Sequence, residues 1–257
     1  MEPRRENANA RNSCPYCRHP CEGRGPAPSP HNHEKKLDPR LRRSDGDYVA
    51  VVKVTRPSLV IFDMDDVLCH YDLGRRLRAL ARLADVTARD VRAAVWDSGF
   101  EDLADQGGYA EIEHYLAEFG TRLGRAITLD EWIEARSIAM QPNEDVLDLA
   151  SKLGQQAALA IYTNNGPVVK NHLDKLFPEA AKIFKQRYCS YEFGTKKPDP
   201  KSYTKLLETI GEKPDACWFI DDKKSNVEGA RLAGLRAHHY TGFDGLIAEA
   251  KAQGFEL

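Results

Sequence analysis

Four polar clusters are the part of this sequence best suited to chemistry, and each follows a short apolar run: 63–66, 163–166, 194–200 and 221–222. In the first cluster, Asp63 and Asp65 stand two positions apart where a predicted strand ends. Side chains with that spacing can point to the same side, so one carboxylate could attack an electrophile while the other moves a proton. A solvated acidic turn is the alternative interpretation of this cluster taken alone.

The other three clusters offer complementary groups. The hydroxyl of Thr163 and the backbone N–H groups of the turn after it could cradle an anion, although Asn-Asn-Gly is also ordinary turn chemistry. Asp221 and Asp222 are adjacent carboxylates that repel each other, which indicates a cation, and oxygen ligands favour Mg²⁺. Lys196 and Lys197 precede Pro-Asp-Pro; they are either exposed loop charges or include one lysine of the site.

The apolar runs before these clusters predict the elements that position them. These runs cover 59–62, 158–162, 187–190, 217–220 and 235–240, and most of them lack polar alternation, as is typical of parallel strands buried on both faces. Helix-like stretches lie between them at 144–154, 168–177, 200–210 and 225–233, with Asn143 and Ser225 as predicted N-caps. The alternation predicts an α/β fold with a doubly wound parallel sheet, whose carboxyl edge carries the clusters.

The connection between the first two predicted strands is too long for a simple crossover. Its apolar residues follow a helical period, as at Leu77, Leu80 and Ala81, and no strand-like run interrupts it. We therefore predict a helical insert over residues 72–142, above a core made of 57–71 and 143–257. Five insert residues are candidates for facing a substrate, the aromatic ones being more typical of packing between helices: Trp96, Phe100, Tyr109, Trp132 and Arg136.

Composition and the N-terminal segment limit the remaining possibilities. A net charge of −2 provides no broad cationic field, which argues against nucleic acid and anionic membranes as partners. No apolar stretch approaches the roughly 20 residues that cross a bilayer, so we expect a cytoplasmic protein. Residues 1–47 lack apolar periodicity and are predicted to be disordered. Cys14, Cys17, His19 and Cys21 are possible zinc ligands there, but no second ligand pair follows them closely.

The four clusters together resemble the haloacid dehalogenase-like (HAD) superfamily of phosphohydrolases. The resemblance lies in their order, Asp-x-Asp, Thr, Lys-Pro and Asp-Asp, each after a strand, and covers about residues 57–250. The insert between the first two motifs is similar to the helical C1-type cap of subfamily I, in the phosphatase branch. This resemblance implies a Rossmann-like sheet of order 5-4-1-2-3, with all four motifs meeting at its carboxyl edge.

The resemblance also implies roles for individual residues. Asp63 would be the nucleophile that forms an aspartyl-phosphate, and Asp65 the general acid and base. Thr163, Asn164 and Lys197 would bind the phosphoryl group, Lys197 being preferred to Lys196 because it directly precedes the proline. Mg²⁺ would be held by Asp63, the Asp65 backbone carbonyl and Asp222, with Asp221 assisting. Asp66 departs from the glycine of many relatives, which restricts the backbone and could alter the metal preference.

The expected substrate is a small phosphorylated metabolite, with sugar phosphates first and nucleotide monophosphates next. A phosphomutase built on the same core remains an alternative, as does a non-enzymatic module that accepts or binds phosphate. Dehalogenation is disfavoured because that activity does not carry an acid like Asp65. The oligomeric state stays open.

Overall fold

A computed structural model describes residues 55–257, and its centre is a five-stranded parallel sheet of order β5-β4-β1-β6-β7. The strands are β1 (Leu59–Phe62), β4 (Ala158–Thr163), β5 (Gln186–Cys189), β6 (Cys217–Asp221) and β7 (Arg236–His239). Counted along the chain, these five strands have the predicted order, so the fold class is confirmed. The predicted leader 1–47 and the cysteine–histidine group within it lie outside the described residues.

Alternate residues of the central strands feed two hydrophobic cores, one on each face of the sheet. Val60 and Phe62 of β1 join one core, while Leu59 and Ile61 join the other, and all four are buried. Six helices cover these faces: α6 (Glu144–Leu153), α7 (Pro167–Leu176), α8 (Pro178–Ile183), α9 (Pro200–Ile210), α10 (Lys224–Leu232) and α11 (Phe243–Ala252). Burial on both sides explains why the central strand β1 and the first four residues of β6 are unbroken apolar runs.

Five helices occupy residues 73–137 of the long connection between β1 and β4. They are α1 (Leu73–Ala84), α2 (Ala88–Arg92), α3 (Phe100–Asp105), α4 (Ile112–Leu123) and α5 (Leu129–Ser137), with a π-helical turn at Ala93–Asp97. The chain enters and leaves this segment through two antiparallel strands, β2 (Cys69–Tyr71) and β3 (Met140–Pro142). The prediction that no strand interrupts 72–142 is therefore wrong, because a three-residue strand is too short to show alternation.

The two predicted N-caps differ in outcome. Asn143 is the N-cap residue of α6, but its side chain donates to Val67 O (3.0 Å) and to Tyr240 Oη (3.1 Å) instead of capping the helix. Helix α10 begins at Lys224, so Ser225 lies inside it. The Asp221 carboxylate accepts a hydrogen bond from Lys223 N (2.8 Å). This bond fixes the backbone at Lys223, so the helix begins one residue before Ser225.

A glycine of α10 lies directly against the loop that carries Lys197. A Cβ on Gly229 would lie 2.1 Å from Pro198 O and 3.0 Å from Pro198 C, and backbone atoms cannot rotate away. We expect Gly229→Ala to lower the free energy of unfolding by about 1–3 kcal/mol. Gly245→Ala in α11 is the matched control, because nothing lies within 4 Å of its Cβ position. Urea denaturation measures both variants, and equal stabilities would contradict the close packing.

None of the helices in residues 55–257 is long and apolar enough to span a bilayer. The cytoplasmic location stays a prediction.

Candidate active site

The carboxyl edge of the sheet brings a nucleophile candidate and a buried lysine together. Asp63 directly follows β1 and is 5% exposed, and its backbone N–H donates to Ile220 O of β6 (2.8 Å). Lys197 is 2% exposed, and its Nζ lies 2.8 Å from Asp63 Oδ1 and 2.7 Å from Asp221 Oδ2. One ammonium group therefore joins the residue after β1 to the end of β6.

The side chain of Asn164 holds the loop of this lysine. Its Nδ2 donates to Lys197 O (2.9 Å) and its Oδ1 accepts from Lys197 N (3.0 Å). Asn164 was predicted to bind substrate, but its amide is engaged with the lysine backbone here. Lys197 Nζ also donates to Tyr162 O (3.1 Å). Lys196 points elsewhere and pairs with Asp102 of α3, so the structure places Lys197 beside the nucleophile candidate.

Three carboxylates at this edge could hold a divalent cation. Oxygen atoms of Asp63, Asp221 and Asp222 all lie within 4.8 Å of one another. Asp222 Oδ1 is buried, and no donor among residues 55–257 reaches it, so this oxygen is free to bind an ion. The side chain of Asp65 is not part of this group. The predicted metal ligand from Asp65 is its backbone carbonyl, and that role stays a prediction. An all-oxygen donor set with an unpaired buried oxygen fits Mg²⁺.

The charges of this cluster are not balanced by Lys197 alone. Burial raises the pKa of Asp63 well above its ordinary value, although Lys197 opposes the shift. Burial also acts to raise the pKa of Asp221, but the charge and hydrogen bond of Lys197 outweigh it and lower that pKa. Burial, followed by the charge of Asp221, raises the pKa of Asp222. A cation near Asp63 and Asp222 would therefore stabilise both carboxylates.

Asp65 is held by an arginine from the insert. Arg136 Nη2 donates to both of its carboxylate oxygens, at 2.9 Å and 2.6 Å. The guanidinium of Arg136 is 4.0 Å from the centre of the Tyr71 ring, and the residue is 1% exposed. Because burial would lower the pKa of Arg136 but Asp65 and Tyr71 raise it, this arginine stays charged. Arg136 therefore contacts the first motif directly, whereas the sequence indicated only that it could face a substrate.

Thr163 and Asp66 complete the first two motifs. Thr163 is buried at the end of β4, and its Oγ1 accepts a hydrogen bond from Asn165 Nδ2 (2.8 Å). Asp66 adopts a left-handed conformation with φ of 59°, which aspartate tolerates better than most residues. Its Oδ1 accepts from Tyr71 N (3.0 Å), so Asp66 supports the turn and does not join the carboxylate cluster.

A cleft of about 300 Å³ opens between this edge and the insert. Its walls include Asp65, Tyr71, Arg76, Trp96, Glu101, Asp102, Asp105, Arg136, Asn164, Asn165 and Lys196. Of the aromatic candidates, Trp96 lines the cleft, whereas Phe100 contacts Tyr109 and Tyr115, and Trp132 packs on Tyr115. Sequence analysis missed Arg76, although a charged residue on the apolar face of α1 was a usable signal.

Comparison with known proteins identifies the family of this chain. The family model of the haloacid dehalogenase-like hydrolases matches residues 57–234. This chain belongs to that family. The family predicted from the four motifs is thereby confirmed, and the protein is an enzyme of the hydrolase class. The non-enzymatic alternative is therefore not supported.

Similar proteins include named phosphatases. A phosphatase of Mycobacterium tuberculosis is 26% identical over 190 residues, covering 70% of this chain and 86% of the relative. A glyceraldehyde 3-phosphate phosphatase of Methanopyrus kandleri is 22% identical over 196 residues, covering 68% and 80%. A Bacteroides thetaiotaomicron enzyme of the family, crystallised with magnesium and inorganic phosphate, matches with a TM-score of 0.60 at 20% identity, covering 71% of this chain and 93% of that one. The structural match establishes a shared fold.

Proposed function

We propose that this protein is a Mg²⁺-dependent phosphatase that hydrolyses a small phosphate monoester through an aspartyl-phosphate on Asp63. The observation that carries the proposal is the position of Asp63, which contacts Lys197 on one side and belongs to a carboxylate cluster on the other. The phosphatase names of the similar proteins support the reaction class. The magnesium and phosphate bound to the Bacteroides enzyme support the choice of metal.

The first half of the reaction needs an attacking carboxylate and an acid. Two negative charges about 4 Å apart repel by ~4 kcal/mol at an effective dielectric of 20, so a phosphate dianion would resist attack by Asp63. Bound Mg²⁺, held by Asp63 and Asp222 with Asp221 close by, would supply charge neutralisation and orient the phosphoryl oxygens. Asp63 then attacks phosphorus, and the bond from phosphorus to the alcohol oxygen breaks. Asp65 gives that oxygen a proton, so a neutral alcohol leaves.

The second half of the reaction reverses the role of Asp65. As a carboxylate, Asp65 removes a proton from the water that attacks the aspartyl-phosphate, which releases inorganic phosphate and regenerates Asp63. The Thr163 hydroxyl and the Lys197 ammonium stabilise the phosphoryl oxygens. Since Lys197 Nζ already pairs with Asp63 and donates to Asp221 and to a backbone carbonyl, the phosphoryl group has to replace one of these partners.

We further propose that residues 72–142 act as a cap over a core made of 57–71 and 143–257. The ion pair between Asp65 and Arg136 joins the two parts at the proposed site (2.6 Å). Since the cleft between them holds about 300 Å³, the substrate is small, with sugar phosphates among the first esters to test.

Metal dependence provides the test of this function. In a phosphate-release screen over sugar phosphates, nucleotides and phosphorylated acids, we expect turnover that EDTA abolishes and MgCl₂ restores. Asp222→Asn should raise the Mg²⁺ concentration for half-maximal activity roughly tenfold or more, because a cluster carboxylate is lost. Mg²⁺ should also raise the melting temperature of the wild type more than that of Asp222→Asn.

Asp148→Asn, an exposed acid of α6, is the matched control and should keep the wild-type Mg²⁺ dependence. Metal-independent hydrolysis would contradict the proposal. Transfer of the phosphoryl group to another hydroxyl, without release of phosphate, would instead indicate the phosphomutase.

A further inference from the structure

A buried arginine on the cleft wall has more N–H groups than acceptors. Arg76 is 4% exposed, and its guanidinium carbon lies 5.1 Å from the ring centre of Trp96 and 4.6 Å from that of Trp132. Its Nη1 donates only a long bond to Tyr71 Oη (3.5 Å). No acceptor among residues 55–257 reaches Nε or Nη2. A buried cation with unpaired donors is costly, which indicates that an anion completes the site.

The nearest carboxylate, that of Glu101, does not supply the missing hydrogen-bond acceptor for Arg76. Glu101 Oε1 lies 3.8 Å from Arg76 Nη2, which is beyond hydrogen-bond distance. The same oxygen accepts a hydrogen bond from Tyr115 Oη (2.8 Å). Glu101 therefore offsets part of the charge of Arg76 without accepting its hydrogen bonds.

A second buried arginine lies at the same end of the cleft. Arg136 stacks on the ring of Tyr71, whose hydroxyl receives the bond from Arg76. No acceptor in the described part of the chain reaches Arg136 Nε either. Two guanidinium groups on one tyrosine repel each other, and an anion bound by both would relieve that repulsion.

We propose that Arg76, together with Arg136, binds a carboxylate carried by the substrate, so that the preferred ester is a small phosphorylated acid. This inference rests on the proposed phosphatase function and narrows its substrate class. The phosphoryl group lies beside Asp63 while the carboxylate reaches the two arginines across the cleft, whose volume of about 300 Å³ suits a short carbon chain. Planar guanidinium groups match the geometry of a carboxylate.

The carboxylate would also release Asp65. In this structure both oxygens of Asp65 accept from Arg136 Nη2. When the substrate carboxylate becomes an acceptor for Arg136, Asp65 is free to turn toward the leaving oxygen. A substrate without this carboxylate leaves Arg136 on Asp65, so it should be turned over more slowly as well as bound more weakly.

Apart from Asp65, which pairs with Arg136, the acids on the cleft wall are engaged by other residues or partly protonated. Asp102 is paired with Lys196, and Glu101 accepts from Tyr115. Burial, followed by the charge of Glu101, raises the pKa of Asp105 to about 7, so it is partly protonated at neutral pH. A protonated Asp105 donates a hydrogen bond and carries no charge to repel the substrate.

The test compares three esters that differ in the charge of the group distal to the phosphate. We expect the wild-type enzyme with Mg²⁺ to hydrolyse 3-phosphoglycerate with a kcat/KM at least about 30-fold above that for glycerol 3-phosphate, which has a hydroxymethyl group in place of the carboxylate. Phosphoethanolamine, with a distal cation, should be the poorest substrate. Equal rates on the first two esters, or a preference for phosphoethanolamine, would overturn the inference.

These outcomes distinguish a failure of the inferred carboxylate preference from a failure of the proposed phosphatase function. Hydrolysis of esters without a carboxylate preference would overturn the inference and leave the phosphatase function standing. A failure to release phosphate from any ester in the presence of Mg²⁺ would contradict both.

Variants on α1 identify the residue responsible. Arg76→Met should lower the ratio of kcat/KM for 3-phosphoglycerate to that for glycerol 3-phosphate at least about tenfold. Arg82→Met, an exposed arginine of the same helix, is the matched control and should leave the ratio unchanged. Circular dichroism verifies folding, and Arg76→Gln, which removes the charge but keeps a polar side chain, replaces the first variant if that one unfolds. An unchanged ratio in a folded Arg76 variant would overturn the assignment.

Discussion

Replacing Asp63 with asparagine should abolish phosphate release, with kcat falling at least about 10⁴-fold on any ester the wild type hydrolyses. The amide keeps the size of the side chain but has no anionic oxygen to attack phosphorus, so no aspartyl-phosphate can form. Ester binding should survive, because Lys197 and Thr163 are unchanged. Single-turnover phosphate release measures the first effect, and calorimetry with the ester measures the second.

Asp66→Asn is the matched control for this variant. It makes the same chemical change three residues along, at a side chain that accepts from Tyr71 N and lies outside the carboxylate cluster. Because asparagine tolerates the left-handed conformation of this position, activity should stay within about tenfold of the wild type. If Asp63→Asn kept substantial activity while Asp66→Asn lost it, the nucleophile would have to be reassigned.

The second large effect is expected at Lys197. Lys197→Met removes the cation that pairs with both Asp63 and Asp221 and leaves these buried carboxylates without it. Breaking a buried ion pair in this way typically costs about 3–5 kcal/mol of unfolding free energy. The loss of a positive charge beside the phosphoryl oxygens should also lower kcat by about 10²–10³-fold. Urea denaturation and steady-state kinetics measure the two consequences.

Lys196→Met distinguishes the two neighbouring lysines. Lys196 is more exposed and pairs with Asp102 on the cleft wall, where an ion pair contributes at most about 1 kcal/mol. We expect its loss to change stability little and kcat/KM less than tenfold. A larger effect at Lys196 than at Lys197 would contradict the assignment of Lys197 as the lysine of the active site.

The agreement between sequence and fold comes from local patterns with a simple physical cause. Strand β1 is buried on both faces, so its four residues form an unbroken apolar run that predicts a parallel strand. Strands β2 and β3 were not predicted, because three residues are too few to show an alternation of apolar and polar side chains. The start of α10 was misplaced because Asp221, a residue of the preceding strand, hydrogen-bonds to Lys223 N.

The amino-acid sequence by itself determined the fold class, the family and the four polar clusters, because each cluster follows its strand directly and parallel strands end at one edge. Only the tertiary structure decided how the clusters meet. It placed Lys197 between two carboxylates, engaged Asn164 with the lysine loop and joined Asp65 to Arg136, which lies 71 positions away in the chain. It also placed Arg76 on the cleft wall. Such contacts depend on how the insert packs on the sheet, and no local pattern encodes that packing.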